Sequence, residues 1–208
     1  MARHIDAKCR LCRYIGEKLM LKGDKCITKC TLEARNNAPP GPHVQRRRKV
    51  SDRGLQLREK QKAKFTYGVL ERQFRKTFAE AARLPGITGE NLLALLERRL
   101  DNVVYRMGFG DSRSAARQLV RHGHIYTNGK RTDVPSCLVR EGDTIQWRPG
   151  STKNKYYGVL KEKIKDKVIP TWLTLDHDNM TGRVASLPTR ADVEATFNEK
   201  MIVEYYSR

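Results

Sequence analysis

The sequence has no long run of apolar residues. Its longest fully apolar stretch, Leu92 to Leu96, is far too short for a membrane span, which needs about 20 apolar residues. The stretch from Met1 to Leu11 contains no apolar core of the kind found in secretory signals. We therefore expect a soluble, cytoplasmic protein in a reducing compartment, with no membrane partner.

Acidic residues are scarce compared with basic ones. The chain has 42 Lys and Arg against 23 Asp and Glu, a formal net charge of +19 in 208 residues. Such self-repulsion opposes compaction unless a polyanion supplies counter-charge, and nucleic acid is the usual one. The excess is uneven, because 31 basic and 15 acidic residues precede Arg148, whereas 11 and 8 occur from Arg148 onwards. We expect the polyanion-binding surface mainly before residue 148.

Cysteine is rare except near the amino end. Four of the five cysteines form two close pairs separated by thirteen residues: Cys9, Cys12, Cys26 and Cys30. This spacing is typical of a structural zinc site with four thiolate ligands, and a bound metal would stabilise a segment with few large apolar residues. An iron–sulfur cluster and unmetallated thiols are the alternatives. Cys137 has no partner nearby in the sequence and is predicted to be a small buried apolar residue.

A basic segment follows a proline-rich stretch. Residues 36–43 predict a stiff, extended linker, and Ser51-Asp52 predicts a helix N-cap. This helix would carry charge on nearly every side, so it would bury few apolar residues of its own. We therefore expect contacts with RNA phosphates to stabilise it. A solvated arm is the alternative. The candidate RNA contacts of this segment are Arg46, Arg47, Arg48, Lys49, Arg53, Arg58, Lys60, Lys62 and Lys64.

Aromatic residues at helical spacing come next. They are Phe65, Tyr67, Phe74 and Phe78, interleaved with the cations Arg72, Arg75 and Lys76. Such rings could stack on unpaired bases, as in proteins that read single-stranded RNA. Their three- and four-residue steps favour a core role instead. We then expect only the cations to face RNA, with Arg72 and Arg75 as candidate contacts.

The clearest helix signals lie between residues 88 and 123. Apolar residues from Leu92 to Met107 predict one helix over about 89–107, ended by Gly108. A second helix is predicted from Asp111-Ser112 to Gly123. Its other face carries three arginines at four-residue steps, with no intervening acid: Arg113, Arg117 and Arg121. Like charges in that spacing repel, so the row favours a polyanion alongside, although a solvated face is the alternative.

The pattern after Gly123 alternates, as in strands. Residues 124–127 and 130–132 flank Asn128-Gly129, which predicts a hairpin with a type I′ turn and places Lys130 and Arg131 beside its tip as candidate RNA contacts. Thr144 to Trp147 predicts the closing strand. Beyond it we expect a helix over 152–166, a strand at 172–175 and a last strand at 200–206.

These residues carry a family resemblance. Leu92 to Phe109 (LLALLERRLDNVVYRMGF), Ser112 to Val120 (SRSAARQLV) and the Tyr-Thr-Asn-Gly-Lys turn closely resemble the bacterial small-subunit ribosomal protein number four family, in its cysteine-containing, zinc-binding variant. The likeness extends from Met-Ala-Arg at the start to Ile202–Arg208. It implies an α+β fold with a metal-stapled N-terminal segment, a helical domain, an inserted RNA-binding module of two helices and a small antiparallel sheet, and a C-terminal helix and strands.

The predicted organisation has four parts. Residues 1–44 form the cysteine head and proline-rich linker, 45–90 the basic helical region, and 91–150 the RNA-binding module. Residues 151–208 are expected to pack back on the helical domain and to face protein partners.

The resemblance also implies a function. It implies binding of 16S ribosomal RNA at the five-way junction of the 5′ domain, which nucleates assembly of the subunit body. It further implies contacts with small-subunit proteins number five and number three beside the messenger entry channel, and, with number five, an influence on decoding accuracy. No catalytic residue and no small-molecule substrate are implied.

Two other functions fit the sequence less well. The same module is appended to pseudouridine synthases, and Arg99-Leu100-Asp101 mimics their catalytic Arg-Leu-Asp. These residues are expected mid-helix, with Asp101 in a surface ion pair, and the chain has no room for a separate catalytic domain. A zinc-bearing DNA-binding regulator lacks support, since no histidine pair completes a finger and no helix has the usual base-reading residues.

Overall fold

The computed structural model describes residues 4–41, 50–193 and 197–207. The chain forms two compact units: unit 1 combines Met1–Leu92 with Ala195–Arg208, and unit 2 is Leu93–Glu194. In the described ranges, every helix is too short or too polar to cross a bilayer.

Helices make up most of the regular structure, and the strands of the described chain all follow residue 124. The helices are α1 (Lys8–Ile15), α2 (Asp24–Thr28), α3 (Thr31–Ala34), α4 (Asp52–Thr66), α5 (Glu71–Ala81), α6 (Thr88–Glu97), α7 (Leu100–Arg106), α8 (Arg113–Arg121), α9 (Lys155–Lys163) and α10 (Glu199–Tyr206). The strands are β1 (Ile125–Thr127), β2 (Lys130–Arg131), β3 (Thr144–Trp147), β4 (Leu173–Asp176) and β5 (Thr181–Val184).

Helix α4 is the centre of unit 1. It begins where predicted, because the Ser51 hydroxyl accepts a hydrogen bond from the Gly54 N–H at 3.2 Å. Helix α10 packs along it, and Gln56 Nε2 donates to Glu204 Oε2 at 2.8 Å between the two helices. The expectation that α4 has little core is therefore wrong. Its buried residues are mostly polar: Gln56, Lys60, Lys62 and Thr66, beside the apolar Ala63.

Helix α10 corrects the strand predicted at residues 200–206. Asn198 caps it, since its side-chain oxygen accepts from the Met201 N–H at 3.3 Å. The Tyr206 ring stacks on Phe78 at 4.6 Å between centroids and lies 6.2 Å from Phe74. The aromatic and β-branched residues of this segment favour a strand when considered alone. Packing against the rest of unit 1 stabilises a helix instead.

Two helices, α6 and α7, take the place of the single helix predicted over residues 89–107. The break falls at Arg98 and Arg99, and Arg99 has an extended backbone with φ −64° and ψ 134°. Arg99 is therefore the N-cap of α7 and not a mid-helix residue. The apolar spacing continues through the break, so the sequence pattern alone predicts one helix.

A distant segment stabilises this break. The Leu100 N–H donates to the Cys137 carbonyl at 2.8 Å, and the Asp101 N–H donates to the Pro135 carbonyl at 3.1 Å. The first N–H groups of a helix have no partner within the helix, so these carbonyls satisfy two of them. The break therefore depends on contacts with a segment that is distant in the sequence.

Helix α8 and the hairpin form as predicted. Ser112 caps α8 by accepting from the Ala115 N–H at 3.2 Å. In the turn, Asn128 and Gly129 have φ angles of 51° and 74°, and Thr127 pairs with Lys130. Both positive φ angles belong to a type I′ turn. The predicted turn is confirmed.

The sheet extends further along the chain than predicted. Its five antiparallel strands have the order β2-β1-β3-β5-β4. Leu160, Trp172 and Val184 belong to the same buried cluster as Val103 and Ile145. Residues 151–193 therefore complete the core of the RNA-binding module. Within the described chain, the predicted packing on the helical unit holds only for residues 197–207.

Candidate nucleic-acid interface

The predicted arginine row on α8 divides into two kinds of residue. Arg113 Nε donates to Asn102 Oδ1 at 2.8 Å, and Arg117 Nη1 donates to Asp101 Oδ2 at 2.8 Å. Both side chains are half-buried, whereas Arg121 is exposed. The expectation that the row has no acid to neutralise it is therefore wrong for Arg117, because the acid comes from α7 and not from α8.

Two polar networks lie beneath this row. Asp101 accepts from Arg99 at 3.1 and 2.8 Å as well as from Arg117. Glu97 accepts from Arg106 at 3.0 and 2.8 Å and from Asn102 Nδ2 at 2.6 Å. The expected surface ion pair of Asp101 is a buried one, since its carboxylate is 6% exposed. These networks connect α7 to α8 and set the orientation of two of the three arginines.

Three exposed arginines and His122 lie close to Gly123, at the end of α8. A Cβ atom built on Gly123 would lie 2.9 Å from Arg131 Cζ, so the Arg131 guanidinium lies directly over this glycine. The Arg148 N–H donates to the His124 carbonyl at 2.8 Å. We call Arg121, His122, Arg131 and Arg148, which are all exposed, the Gly123 patch.

His124 borders this patch and is half-buried. Burial lowers the pKa of His124, and the neighbouring His122 and Arg148 lower it further. Its Nδ1 lies 2.9 Å from Ser151 Oγ.

Helix α4 places its predicted contacts in different environments. Lys60 and Lys62 are buried, with Lys60 Nζ 2.7 Å from Glu71 Oε1 and Lys62 Nζ 2.6 Å from Glu17 Oε2. Lys64 also pairs with Glu71, at 3.1 Å. The predicted exposure of charge on nearly every side is wrong for Lys60 and Lys62, because they form ion pairs inside unit 1.

The remaining predicted contacts of unit 1 lie on its surface or outside the described residues. Arg53, Arg58, Arg72 and Arg75 are exposed. Arg46, Arg47, Arg48 and Lys49 lie outside the described residues. On β2, in unit 2, Lys130 and Arg131 are both exposed.

The four amino-terminal cysteines line one cavity of about 10 Å³. Two backbone groups bond to their sulfurs: the Lys22 N–H donates to Cys26 Sγ at 3.3 Å, and the Leu19 N–H bonds to Cys12. Burial raises the pKa of the Cys12 thiol, and the Leu19 hydrogen bond lowers it in part. Within residues 4–41, 50–193 and 197–207, no group of three or more His, Cys, Asp and Glu side chains is arranged to hold a metal ion.

Cys137 does not have the predicted environment. It is exposed, and all five cysteines are free of disulfide bonds. The prediction of a buried apolar residue is wrong, because this segment contributes its backbone carbonyls to α7 while the side chain faces away.

The comparisons with known proteins agree with this arrangement. Residues 3–97 match the family described as "Ribosomal protein S4/S9 N-terminal domain", and residues 98–145 match the "S4 domain". The small ribosomal subunit proteins uS4 of Dehalococcoides mccartyi and Pelotomaculum thermopropionicum are 53% and 55% identical to this chain. In both cases the match covers the whole of both chains. This chain belongs to the uS4 family.

Membership of the uS4 family makes the chain a structural protein of the small ribosomal subunit and not an enzyme. The prediction that Arg99-Leu100-Asp101 lies mid-helix is wrong, because Arg99 is the N-cap of α7. The Asp101 carboxylate is buried and bonded to two arginines, so it is not accessible to a substrate base.

The sequence interpretation missed several residues of the site. His122 and Arg148 are not among its candidates, although His122 precedes the predicted hairpin and Arg148 follows the predicted closing strand. It assigns Glu97, Asn102 and Arg106 to one amphipathic helix and gives them no role of their own. The helical spacing gives no signal for this second group, because Asn102 and Arg106 lie outside the apolar arc of the predicted helix and Glu97 lies at its edge.

Proposed function

We propose that this uS4 chain binds 16S ribosomal RNA at the five-way junction of the 5′ domain and so nucleates assembly of the subunit body. The observation that carries the proposal is the Gly123 patch, a set of exposed cations held at one helix end. Family membership supports ribosomal RNA as the target. The family resemblance of the sequence implies the five-way junction as the binding site on that RNA.

The physical reason is counterion release. Each phosphate that a Lys or Arg side chain neutralises frees condensed cations, so the affinity falls steeply as salt rises. Clustered cations repel in the free protein, and an RNA backbone removes that repulsion. Exposed Arg53, Arg58, Arg72 and Arg75 give unit 1 a second cationic surface. Two such surfaces can neutralise phosphates of different RNA helices.

The test is the salt dependence of binding between the full-length protein and an RNA containing the five-way junction. The slope of log affinity against log salt should be at least about 4 in magnitude, at ~0.7 to 0.9 per neutralised phosphate. A triple variant, Arg121→Ala, Arg131→Ala and Arg148→Ala, should lower the magnitude by about 2 to 3.

The controls separate specific from general binding. Lys165→Ala changes an exposed cation in the carboxyl-terminal part, where charge is nearly balanced, and should leave the slope unchanged. A simple RNA duplex of equal length should bind more weakly than the junction. An equal affinity for both RNAs, or an unchanged slope in the triple variant, would contradict the proposal.

The proposal includes two protein partners. Small-subunit proteins number five and number three are the expected neighbours beside the messenger entry channel, and the contact with number five would influence decoding accuracy. The nearly balanced charge after residue 148 supports a protein-facing surface there. Binding of the RNA-bound complex to purified protein number five tests this part, and no binding would contradict it.

The proposal also includes one structural zinc ion on Cys9, Cys12, Cys26 and Cys30. The thiols line a single cavity and none is in a disulfide, and two N–H groups donate to sulfur, as around thiolate ligands. Lysines border the same cavity and offset the negative charge of four thiolates: Lys18, Lys22, Lys25 and Lys29. The small volume fits one ion better than an iron–sulfur cluster. When bound, zinc supplies a cross-link among α1, α2 and α3.

A further inference from the structure

We infer that unit 1 contains a pocket for one unpaired RNA base, beside the aromatic pair of Tyr14 on α1 and Phe65 on α4. The inference rests on the RNA-binding function proposed above and names a binding site for a particular RNA feature. The pocket also borders His4, Arg10 and Gln61. Its volume is about 470 Å³, within the roughly 300 to 1,000 Å³ usual for sites that bind small flat ligands.

The two rings contact each other edge-to-face, with centroids 6.4 Å apart and planes at 72°, and both border the pocket. Because the planes are steeply inclined, a flat base in the pocket can stack on the free face of one ring while its edge meets the other ring. Tyr14 is 52% exposed, a high value for so large an apolar surface, and a stacked base would cover it.

Phe65 is held rigidly enough to serve as a platform. It packs against the small core cluster of unit 1, which consists of Cys12, Ile15, Leu19 and Leu21. The spacing of the aromatic residues predicted core packing, and the structure agrees for Tyr67 and Phe74, which are buried. Phe65 differs because it is half-buried, with part of its surface in the cluster and part in the pocket.

The polar groups around the pocket fit a nucleotide. His4 Nε2 and Gln61 Oε1 are shielded from solvent and have no hydrogen-bond partner within the described part of the chain. A base edge carries both donors and acceptors, so it can supply these partners after small side-chain rotations. Buried polar atoms without partners are costly, which favours a ligand with such an edge.

The charges around the pocket favour RNA over a neutral aromatic ligand. Arg10 is exposed at its border and can meet a phosphate next to a stacked base. Asp6 also borders the pocket, 3.9 Å from His4 Nδ1, and its charge would repel a phosphate on that side. The phosphate contact is therefore expected at Arg10.

The test compares Tyr14→Leu with Tyr14→Phe in the full-length protein bound to the junction RNA. Leucine keeps apolar bulk but cannot stack, so the affinity should fall about tenfold at fixed salt. Phenylalanine keeps the ring, and its affinity should stay within about twofold of the wild type. The salt slope should be the same in all three proteins, because no cation is changed. Ultraviolet cross-linking should join Tyr14 or Phe65 to one nucleotide.

The outcomes distinguish the pocket from the wider function. If wild-type protein binds the junction RNA with the expected salt slope, but Tyr14→Leu binds equally well and no cross-link forms at either ring, the pocket is ruled out and the RNA-binding proposal stands. If the wild-type protein binds with no salt slope, the RNA-binding proposal fails, and the pocket fails with it. Equal losses in Tyr14→Leu and Tyr14→Phe would indicate a role of the hydroxyl and would also overturn stacking.

Discussion

The Arg106 guanidinium donates two hydrogen bonds to the Glu97 carboxylate, at 3.0 and 2.8 Å, and both side chains are almost completely buried. The pair joins the end of α6 to the end of α7 across the break at Arg99. A bidentate geometry is the strongest form of such a contact. The third donor to Glu97 is Asn102, which also accepts from Arg113. A helix break deep in unit 2 is thereby connected to the surface of α8.

Glu97→Gln should destabilise the protein strongly. Removing one charge from a buried ion pair leaves the other uncompensated, and such changes cost about 3 to 5 kcal/mol. Chemical denaturation monitored by circular dichroism measures the loss. Glu141→Gln alters an exposed acid in the same unit and should change the free energy of unfolding by less than about 0.5 kcal/mol. Equal stabilities of the two variants would contradict a structural role for the pair.

The sequence predicts local features of unit 2 well and long-range ones poorly. Ser112 and Asn128-Gly129 act through bonds and dihedral angles within a few residues, so their effects can be read directly from the sequence. The break at Arg99 depends on the carbonyls of Pro135 and Cys137, which are distant in the chain. Nothing in the window around Arg99 reveals those partners, because the apolar spacing is unchanged.

Arg117→Ala should mainly lower stability, whereas Arg121→Ala should mainly lower the salt dependence of RNA binding, although the residues lie only four positions apart on one helix. Arg117 is bonded to buried Asp101, so its loss should lower the free energy of unfolding by about 1 to 3 kcal/mol. Arg121 is exposed, so its loss should cost less than about 0.5 kcal/mol and lower the salt slope of RNA binding by ~0.7 to 0.9. Denaturation and salt titration measure the two effects. The same signature for both variants would show that the division of the arginine row is wrong.

Glu71 should contribute a pH-dependent part of the stability of unit 1. Burial raises its pKa, but hydrogen bonds from Lys60, Lys64 and Tyr206 outweigh burial and bring the pKa to about 2, below the usual 4.5. An acid with a depressed folded-state pKa stabilises the fold above its unfolded pKa and loses that contribution as the pH falls. The difference in stability between wild type and Glu71→Gln should therefore be constant above about pH 5 and shrink towards about pH 2.

Urea unfolding at several pH values checks this expectation. Glu80→Gln, an exposed change on the same helix, should show no such pH-dependent difference from the wild type. A difference for Glu71→Gln that stays constant over the whole acid range would mean that the bonds to Lys60, Lys64 and Tyr206 do not stabilise the ionised form.

Burial of the α4 lysines and the helical state of α10 share one cause. Lys60 Nζ lies 4.8 Å from the Tyr205 ring centroid, so the carboxyl-terminal helix covers part of what the sequence presents as a uniformly charged helix. These partners lie far apart in the sequence. The expectation that α4 has little core and the prediction of a terminal strand were both wrong, because each element was considered without the other.

Cys12→Ser and Cys137→Ser should separate metal binding from general thiol effects. Wild-type protein and Cys137→Ser should each contain one equivalent of zinc, since Cys137 lies far along the chain and is exposed. Cys12→Ser should lose the zinc, and hydrogen exchange in α1 to α3 should become faster while unit 2 stays protected. Metal analysis of the purified proteins measures the first effect. Neither zinc nor iron at one equivalent in the wild type would end the metal proposal.

Gly129→Ala and Gly158→Ala should change stability in opposite directions. Each adds a single methyl group, and neither built Cβ atom has another heavy atom within 4 Å. Gly129 has a φ of 74° in the hairpin turn, where alanine is strained by about 1 to 2 kcal/mol. Gly158 lies inside α9 and is exposed, where alanine should stabilise the helix by about 0.5 to 1 kcal/mol. Because the added group and its free surroundings are the same, the sign of the change depends only on the backbone. Thermal denaturation of the two variants measures that sign, and a shift in the same direction for both would contradict the type I′ turn that presents Lys130 and Arg131.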